Sequence, residues 1–299
     1  MVLSCYGTLL DALRDQPYRV LLLDAYGVFW AGGAKGPFPG APAAMEQLVS
    51  SGKIVGILSN TTALSSSEEK KYSKWGLEKG RHFHFVQTSG DLAKALFSSQ
   101  RLPFVSPNRS YILFCPPSPQ YPPPTALFEG SPYQETKMLA EADFIYLNVP
   151  QFQGKDCEDL DLFRPRVEEL AASHKPMICA NPDTYAQEGD PPRMVVRQGA
   201  IASLYEKAGG SVVYVGKPFS QMFSSAVEKI CCLKSQILMI GDTPETDVLG
   251  ANGFGIPSAL MIDQGIMAER LLRDPDALQK LPEKNRPNHF IKRFAAYGV

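Results

Sequence analysis

The chain has 299 residues, enough for one large domain and a smaller one, and a formal net charge of -1. Lysine and arginine are interspersed with acidic residues, so the composition excludes a dedicated nucleic-acid surface and a basic membrane-binding face. No apolar run is long enough to cross a bilayer, and the N-terminus does not have the pattern of a secretory signal. The six cysteines lack a CxxC spacing, which favours reduced thiols and a cytoplasmic location.

Strand and helix patterns alternate in the first third of the chain. The predicted elements are strands at residues 20–23, 54–58 and 83–87, and helices from residue 41, from 65 to about 75, and over 91–97. Alternation of this kind is typical of an α/β fold with a doubly wound, Rossmann-like parallel sheet.

The middle of the chain has a different pattern. Six prolines between Pro116 and Pro124 predict an irregular loop or polyproline segment over residues 103–132. Beyond it, the predicted elements are strands at 144–147, 177–180, 212–215 and 237–240, and helices at 160–171, 200–208 and between the last two strands. We therefore predict an inserted α/β cap domain, residues 105–185, in a core domain formed by residues 1–104 and 186–299.

Four of the predicted strands are followed by polar residues. Asp24 follows the first and Ser59-Asn60 the second, while Lys217 and Asp242 follow the strands at 212–215 and 237–240. Ligands of open parallel sheets bind just beyond these carboxyl ends. Carboxylate, hydroxyl, amide and ammonium groups at one edge predict a site for a phosphoryl group and Mg²⁺.

These residue types predict a division of roles. Asp24 is the candidate nucleophile, since a carboxylate can attack phosphorus and form an aspartyl phosphate. Asp24 and Asp242 would bind Mg²⁺, and Asp247 would complete this metal site by orienting the ligands and the metal's waters. Lys217 would neutralise charge on the transferred phosphoryl group, and Ser59 with adjoining backbone amides would bind its oxygens.

The same segments resemble a known family. Leu-Leu-Leu-Asp24-Ala-Tyr-Gly-Val, Leu-Ser59-Asn-Thr-Thr, Gly-Lys217-Pro and Gly-Asp242 with Asp247 resemble, in order, the four motifs of the haloacid dehalogenase superfamily. The insertion resembles the α/β cap of subclass IIA, the NagD-like and p-nitrophenylphosphatase-like hydrolases. The resemblance implies Mg²⁺ dependence, an aspartyl-phosphate intermediate, a mobile cap, and a further metal ligand in the backbone carbonyl of Tyr26.

The resemblance also implies residues for substrate binding. Asn60 and Thr61 belong to the same motif as Ser59 and are expected to bind substrate with it. In subclass IIA the loop after Asn-Pro-Asp faces the active site, which makes Asp183 and Tyr185 candidates for substrate selection. A turn stabilised by its own Asn and Asp side chains is the alternative for this segment.

Tyr26 departs from the phosphatase pattern, in which a second aspartate occupies this position as general acid and base. A phenol with a pKa near 10 is poorly suited to that task at neutral pH. One interpretation is a phosphatase with weakened acid–base catalysis, and the alternative is a catalytically impaired protein that binds a phosphorylated metabolite. Asp-x-Tyr-Gly also resembles the 2-haloacid dehalogenases, but these work without Mg²⁺, which conflicts with Asp242 and Asp247.

The sequence leaves substrate identity and assembly open. A sugar phosphate, a nucleotide and an aryl phosphate are all compatible with the predicted site. A homodimer is one of the oligomeric states that the sequence permits.

Overall fold

The computed structural model describes residues 4–14, 16–32, 35–189 and 193–296. Within these ranges the strands are β1 (Ser4–Thr8), β2 (Val20–Leu23), β3 (Ile54–Ser59), β4 (Phe85–Thr88), β5 (Ser110–Leu113), β6 (Gln134–Glu135), β7 (Phe144–Leu147), β8 (Met177–Cys179), β9 (Tyr185–Glu188), β10 (Arg193–Val196), β11 (Val212–Tyr214), β12 (Ile237–Gly241), β13 (Ser258–Met261) and β14 (His289–Arg293). The α-helices are α1 (Leu9–Leu13), α2 (Ala41–Ser50), α3 (Ser65–Ser73), α4 (Ser89–Ser98), α5 (Thr125–Phe128), α6 (Arg164–Ala171), α7 (Gln198–Lys207), α8 (Ser220–Val227), α9 (Leu249–Phe254) and α10 (Gly265–Arg273). A π-helical turn spans Pro244–Val248, and short 3-10 turns lie at Leu160–Phe163, Lys234–Gln236 and Glu283–Asn285.

The chain forms two compact units. The first consists of Met1–Ser59, Ser65–Gln87 and Lys217–Val299, and the second of Asn60–Leu64 and Thr88–Gly216. The predicted insertion, residues 105–185, lies inside the second unit, which also includes residues before 105 and after 185. The predicted domain boundaries stay a prediction.

The first unit is built on a seven-stranded sheet. Its strand order is β1-β14-β13-β12-β2-β3-β4, and β2 lies parallel to both β12 and β3. β2 consists of Val20-Leu21-Leu22-Leu23, all of it buried, as expected of a central strand covered on both faces. The predicted α/β fold with a parallel sheet is confirmed.

The second unit has its own parallel sheet, with strand order β11-β8-β7-β5-β6, and an antiparallel hairpin of β9 and β10. One expectation was wrong here. Residues 212–215 were predicted to belong to the core domain together with 237–240, but β11 pairs with β8 in the second sheet. Val212 and Val213 pack on the two hydrophobic clusters of this second sheet, and the apolar run alone does not specify which sheet it joins.

The proline-rich region is also more ordered than expected. β5 and α5 both lie within residues 103–132, on either side of the Pro116–Pro124 segment. Tyr111 of β5 stacks on Phe128 of α5, with ring centroids 3.9 Å apart. Aromatic packing therefore orders the flanks, while the prolines themselves remain in irregular structure.

None of the helices in the described ranges is long and apolar enough to span a membrane.

Candidate active site

Three of the predicted site residues lie at the carboxyl ends of neighbouring strands of the first unit. Leu23 of β2 is in register with Ile240 of β12 and Ile57 of β3, so these three strands end at the same edge. The Asp24 N–H donates to the carbonyl oxygen of Ile240 across 2.8 Å, which continues the pairing beyond β2. Parallel register is therefore what places Asp24, Ser59 and Asp242 at one edge of the sheet.

Asp24, Asp242 and Asp247 form a carboxylate cluster in this unit. One ligand oxygen from each lies within 4.8 Å of the other two, with Asp242 and Asp247 buried and Asp24 partly exposed. Oδ2 of Asp247 accepts hydrogen bonds of 3.1 Å from the backbone N–H groups of Asp242 and Thr243. The carboxylate of Asp247 thus fixes the turn that carries Asp242.

Lys217 is the cation of the cluster, and its side chain is 1% exposed. Its Nζ lies 2.7 Å from Oδ1 of Asp24 and 2.8 Å from Oδ1 of Asp247, and it donates to the carbonyl oxygen of Leu58 across 3.0 Å. A buried ammonium requires such partners because desolvation without them is costly. The structure therefore brings Asp24, Lys217, Asp242 and Asp247 together, as the sequence predicts.

Two glycines bring backbone up to the Asp242 carboxylate. A Cβ built on Gly27 would lie 1.9 Å from Oδ2 of Asp242, and one on Gly265 would lie 2.0 Å from the same atom. Both glycines have positive φ angles, 73° and 71°. The N–H of Ile266 donates to this oxygen across 2.7 Å. Gly27 belongs to the motif that contains Asp24, but sequence reasoning missed Gly265 and Ile266, which have no motif of their own.

The cluster fits a hard divalent cation. Carboxylate oxygens are the ligands that Mg²⁺ and Ca²⁺ prefer, and three of them converge at a strand edge. Both oxygens of Asp247 already contact Lys217 and backbone N–H groups, so this residue is better suited to orient the site than to bind a metal directly. Asp24 and Asp242 are the stronger candidates for direct ligands.

Tyr26 lies beside a cation that sequence reasoning missed. Its side chain is 38% exposed, and the Lys71 ammonium of α3 donates to its hydroxyl across 3.3 Å. The same ammonium forms an ion pair with buried Glu68 and faces the rings of Tyr26, Trp30 and Tyr72 at 4.9–5.2 Å. Such contacts with ring faces stabilise a cation. Only the fold reveals this set, because α3 is distant from Tyr26 in sequence.

Tyr72 completes this aromatic group and is fully buried. Burial raises its pKa well above the usual value, and the nearby Glu68, Tyr26 and Asp24 raise it further. The phenol therefore keeps its proton and donates to Oε2 of Glu68 across 3.0 Å. Glu68 also forms the ion pair with Lys71, so Glu68, Lys71 and Tyr72 hold one another in place next to Tyr26.

The other predicted substrate-binding residues are described within their own units. Ser59 ends β3 in the first unit and is buried. Asn60 belongs to the second unit, where its amide donates to Oδ1 of Asp183 across 2.9 Å. In the same unit Thr61 accepts from the Ala63 N–H, and Tyr185, at the start of β9, is 37% exposed. The structure brings Asn60 and Asp183 together, and a role in substrate binding stays a prediction for all five.

Comparison with known families matches two segments of the chain. Residues 21–113 match the haloacid dehalogenase-like hydrolase family, and residues 214–296 match the HAD-hydrolase-like family. A curated relative, dihydroxyacetone phosphatase from Corynebacterium glutamicum (strain R), is 31% identical over 119 residues. That match spans 40% of this chain and 39% of the relative.

Comparison with solved structures extends over nearly the whole chain. A haloacid dehalogenase-like hydrolase from Brucella suis 1330 is 24% identical and superposes with a TM-score of 0.76, covering 97% of this chain and 99% of that one. The 4-nitrophenylphosphatase from Thermotoga maritima is 21% identical with a TM-score of 0.64, covering 93% and 95% of the two chains. At these identities the likeness establishes the fold. The two family matches and the four motifs in order show that the chain belongs to the haloacid dehalogenase-like hydrolases.

Proposed function

We propose that this protein is a Mg²⁺-dependent phosphatase that hydrolyses a small phosphorylated metabolite, a phosphate monoester, through an aspartyl-phosphate intermediate. The observation that carries the proposal is the contact of buried Lys217 with both Asp24 and Asp247, next to Asp242, at the carboxyl edge of a parallel sheet. The names of the curated relative and of the Thermotoga maritima structure, both phosphatases, agree with this chemistry.

Each residue of the cluster has a role in the proposal. Asp24 attacks phosphorus with one carboxylate oxygen, the ester P–O bond breaks and the alcohol or phenol leaves, and water then hydrolyses the aspartyl phosphate to release inorganic phosphate. Oδ1 of Asp24 is held by Lys217 at 2.7 Å and by the Ala25 N–H at 2.8 Å. The ammonium of Lys217 offsets the negative charge of the carboxylates, which would otherwise repel the anionic substrate and oppose the attack. Asp247 keeps Lys217 in position.

Asp24, Asp242 and the backbone carbonyl of Tyr26 would hold Mg²⁺. The bound ion would supply positive charge to the phosphoryl oxygens. Ile266 orients Asp242 for this role through the hydrogen bond to Oδ2, and Thr243 does so through a hydrogen bond of 2.9 Å to Oδ1. Such supporting contacts commonly affect metal affinity by about 10–100-fold.

Proton transfer is the step that Tyr26 alters. Where a phosphatase has a carboxyl group at this position, this chain has a phenol bonded to Lys71. General acid–base catalysis typically contributes about 10²–10⁴-fold. We therefore expect turnover to depend strongly on the leaving group, with aryl phosphates hydrolysed much faster than alkyl phosphates.

A second function follows from the same substitution. A protein that keeps the phosphate and metal ligands but lacks an efficient acid would bind a phosphorylated metabolite without turning it over. The two functions are separated by one comparison, in which purified protein with Mg²⁺ is incubated with p-nitrophenyl phosphate and with glycerol phosphate. Release of phosphate supports the phosphatase. No release from either substrate, together with a rise in melting temperature on adding phosphate, supports the binding protein.

The cytoplasmic location and the homodimer stay predictions. Neither is needed by the proposed chemistry.

A further inference from the structure

A loop directly after Ser59 is held by several segments of the second unit. We call residues 60–63 the motif loop. The Ser89 hydroxyl shares its one proton between the carbonyl oxygens of Asn60 and Thr61, to which it donates across 2.8 and 2.9 Å, and the Gly90 N–H donates to the Thr61 carbonyl across 3.1 Å. The start of α4 thus fixes the backbone of the motif loop.

Gly216 contacts the same loop from another direction. A Cβ at Gly216 would lie 2.6 Å from Oδ1 of Asn60 and 3.0 Å from the Pro182 ring. The Asn60 side chain is therefore enclosed, and the residue is 2% exposed. Because the side chain is buried, its amide needs hydrogen-bonding partners within the protein.

Asp183 supplies one of these partners through its carboxylate. Asn60 Nδ2 donates to Oδ1 of Asp183 across 2.9 Å. The Asp183 backbone is fixed on both sides, since its N–H donates to Oδ1 of Asn181 and its carbonyl accepts from the Gly199 N–H at the start of α7. A hydrogen bond to a carboxylate is stronger than one between neutral groups. The Asn-Pro-Asp turn is therefore a rigid support that directs a carboxylate onto Asn60.

We propose that Asp183 is a positioning residue that acts through Asn60, and not a residue that selects the substrate. The inference rests on the proposed function, because Asn60 and Thr61 directly follow Ser59 and share its predicted part in binding phosphoryl oxygens. A residue that orients groups on the phosphoryl oxygens affects all phosphate monoesters alike. A residue that contacts the leaving group discriminates among them.

The first test is a substrate panel. We expect Asp183→Ala to lower kcat/KM by about 10–100-fold, the scale on which misplaced groups slow a reaction, and by the same factor for p-nitrophenyl phosphate, glycerol phosphate and a sugar phosphate. Asp183→Asn keeps an acceptor oxygen and should restore most of the loss. Factors that differ between aryl and alkyl substrates would overturn the positioning role.

Tyr185→Ala is the matched comparison in the same segment, since this exposed ring is the other candidate for substrate selection. A change in the ratio of kcat/KM values for Tyr185→Ala, beside an unchanged ratio for Asp183→Ala, would separate the two residues. The reverse pattern would contradict the proposal.

The second test is a double-mutant cycle. We expect Asn60→Ala and Asp183→Ala to be strongly non-additive in kcat/KM and in the free energy of unfolding, because each removes the same hydrogen bond. Additive effects on unfolding would overturn the inference even if the protein is a phosphatase. Absence of turnover by the wild-type protein would contradict the proposed function, while the cycle in unfolding would still test the contact between Asn60 and Asp183.

Discussion

Each unit of this protein buries a cation between two carboxylates, and the surroundings of the two cations differ. In the first unit Lys217 lies 2.7 Å from Asp24 and 2.8 Å from Asp247. In the second unit Arg197 lies 3.1 Å from Asp156 and 2.9 Å from Glu188. The charge arrangement is alike, so burial of charge alone does not identify a catalytic site.

The difference lies in what the carboxylates are attached to. Asp24 follows a central strand, and a third carboxylate, Asp242, stands beside it against glycine backbone. Among the described residues, no third carboxylate forms an ion pair with Arg197; its guanidinium donates to the Tyr121 hydroxyl of the proline-rich loop across 3.1 Å and to the Val196 carbonyl. We interpret the Lys217 cluster as the chemical cluster, which carries out the reaction. We interpret the Arg197 cluster as a structural cluster, which stabilises the position of the proline-rich loop.

The largest expected effect is the loss of turnover when the nucleophile of the chemical cluster is replaced. Asp24→Asn keeps the size of the side chain but removes the attacking carboxylate, so we expect kcat to fall by at least about 10⁴-fold, as for loss of other catalytic nucleophiles. Phosphate release from p-nitrophenyl phosphate measures it. The control is Asp161→Asn, the same change at an exposed carboxylate of the second unit. Retained turnover in Asp24→Asn would contradict the assigned nucleophile.

The next effect is a gain. Tyr26→Asp places a carboxyl group where phosphatases of this family have their acid, so we expect alkyl phosphate turnover to rise by about 10²–10⁴-fold and aryl phosphate turnover to rise less. The kcat values for glycerol phosphate and p-nitrophenyl phosphate give the comparison. Tyr26→Asn, of similar size but without an acidic proton, is the control. Equal gains in both variants would show that removal of the ring, and not the acid, is responsible.

The two clusters were not equally predictable from sequence. Asp24, Lys217, Asp242 and Asp247 lie in short motifs that follow apolar runs. The parallel register of β2 and β12 brings Asp24 and Asp242 to one edge, whereas Lys217 follows β11 of the other sheet and was predicted from its motif alone. Arg197, Asp156 and Glu188 follow no motif, and only the packing of loops brings them together. The same limit applies to Lys71 beside Tyr26, and to β11, whose apolar sequence suits either sheet.

The third prediction compares the two cations by removing each. Lys217→Met and Arg197→Met both leave a pair of carboxylates without their cation, which typically costs about 3–5 kcal/mol of unfolding free energy. We expect Mg²⁺ to restore part of the stability of Lys217→Met, since an ion bound by Asp24 and Asp242 replaces lost positive charge.

Arg197→Met should gain no more from Mg²⁺ than the wild-type protein does. Denaturant unfolding with and without Mg²⁺ measures both variants. If the metal stabilised the two variants equally, the distinction between a chemical and a structural cluster would fail.

The smallest expected effect concerns the glycine next to Asp242. A Cβ on Gly27 would come within 1.9 Å of Oδ2 of Asp242, so Gly27→Ala must displace that carboxylate or the loop. Gly52→Ala is a matched control, because Gly52 has a similar φ of 83° but open space around its Cβ position. Both variants carry the strain of a positive φ, which costs roughly 1–2 kcal/mol. Only Gly27→Ala should also weaken Mg²⁺ binding, by about 10–100-fold, and titration calorimetry with Mg²⁺ measures this difference. Equal Mg²⁺ affinities in the two variants would mean that Asp242 does not bind the metal, and its place in the chemical cluster would have to be reassigned.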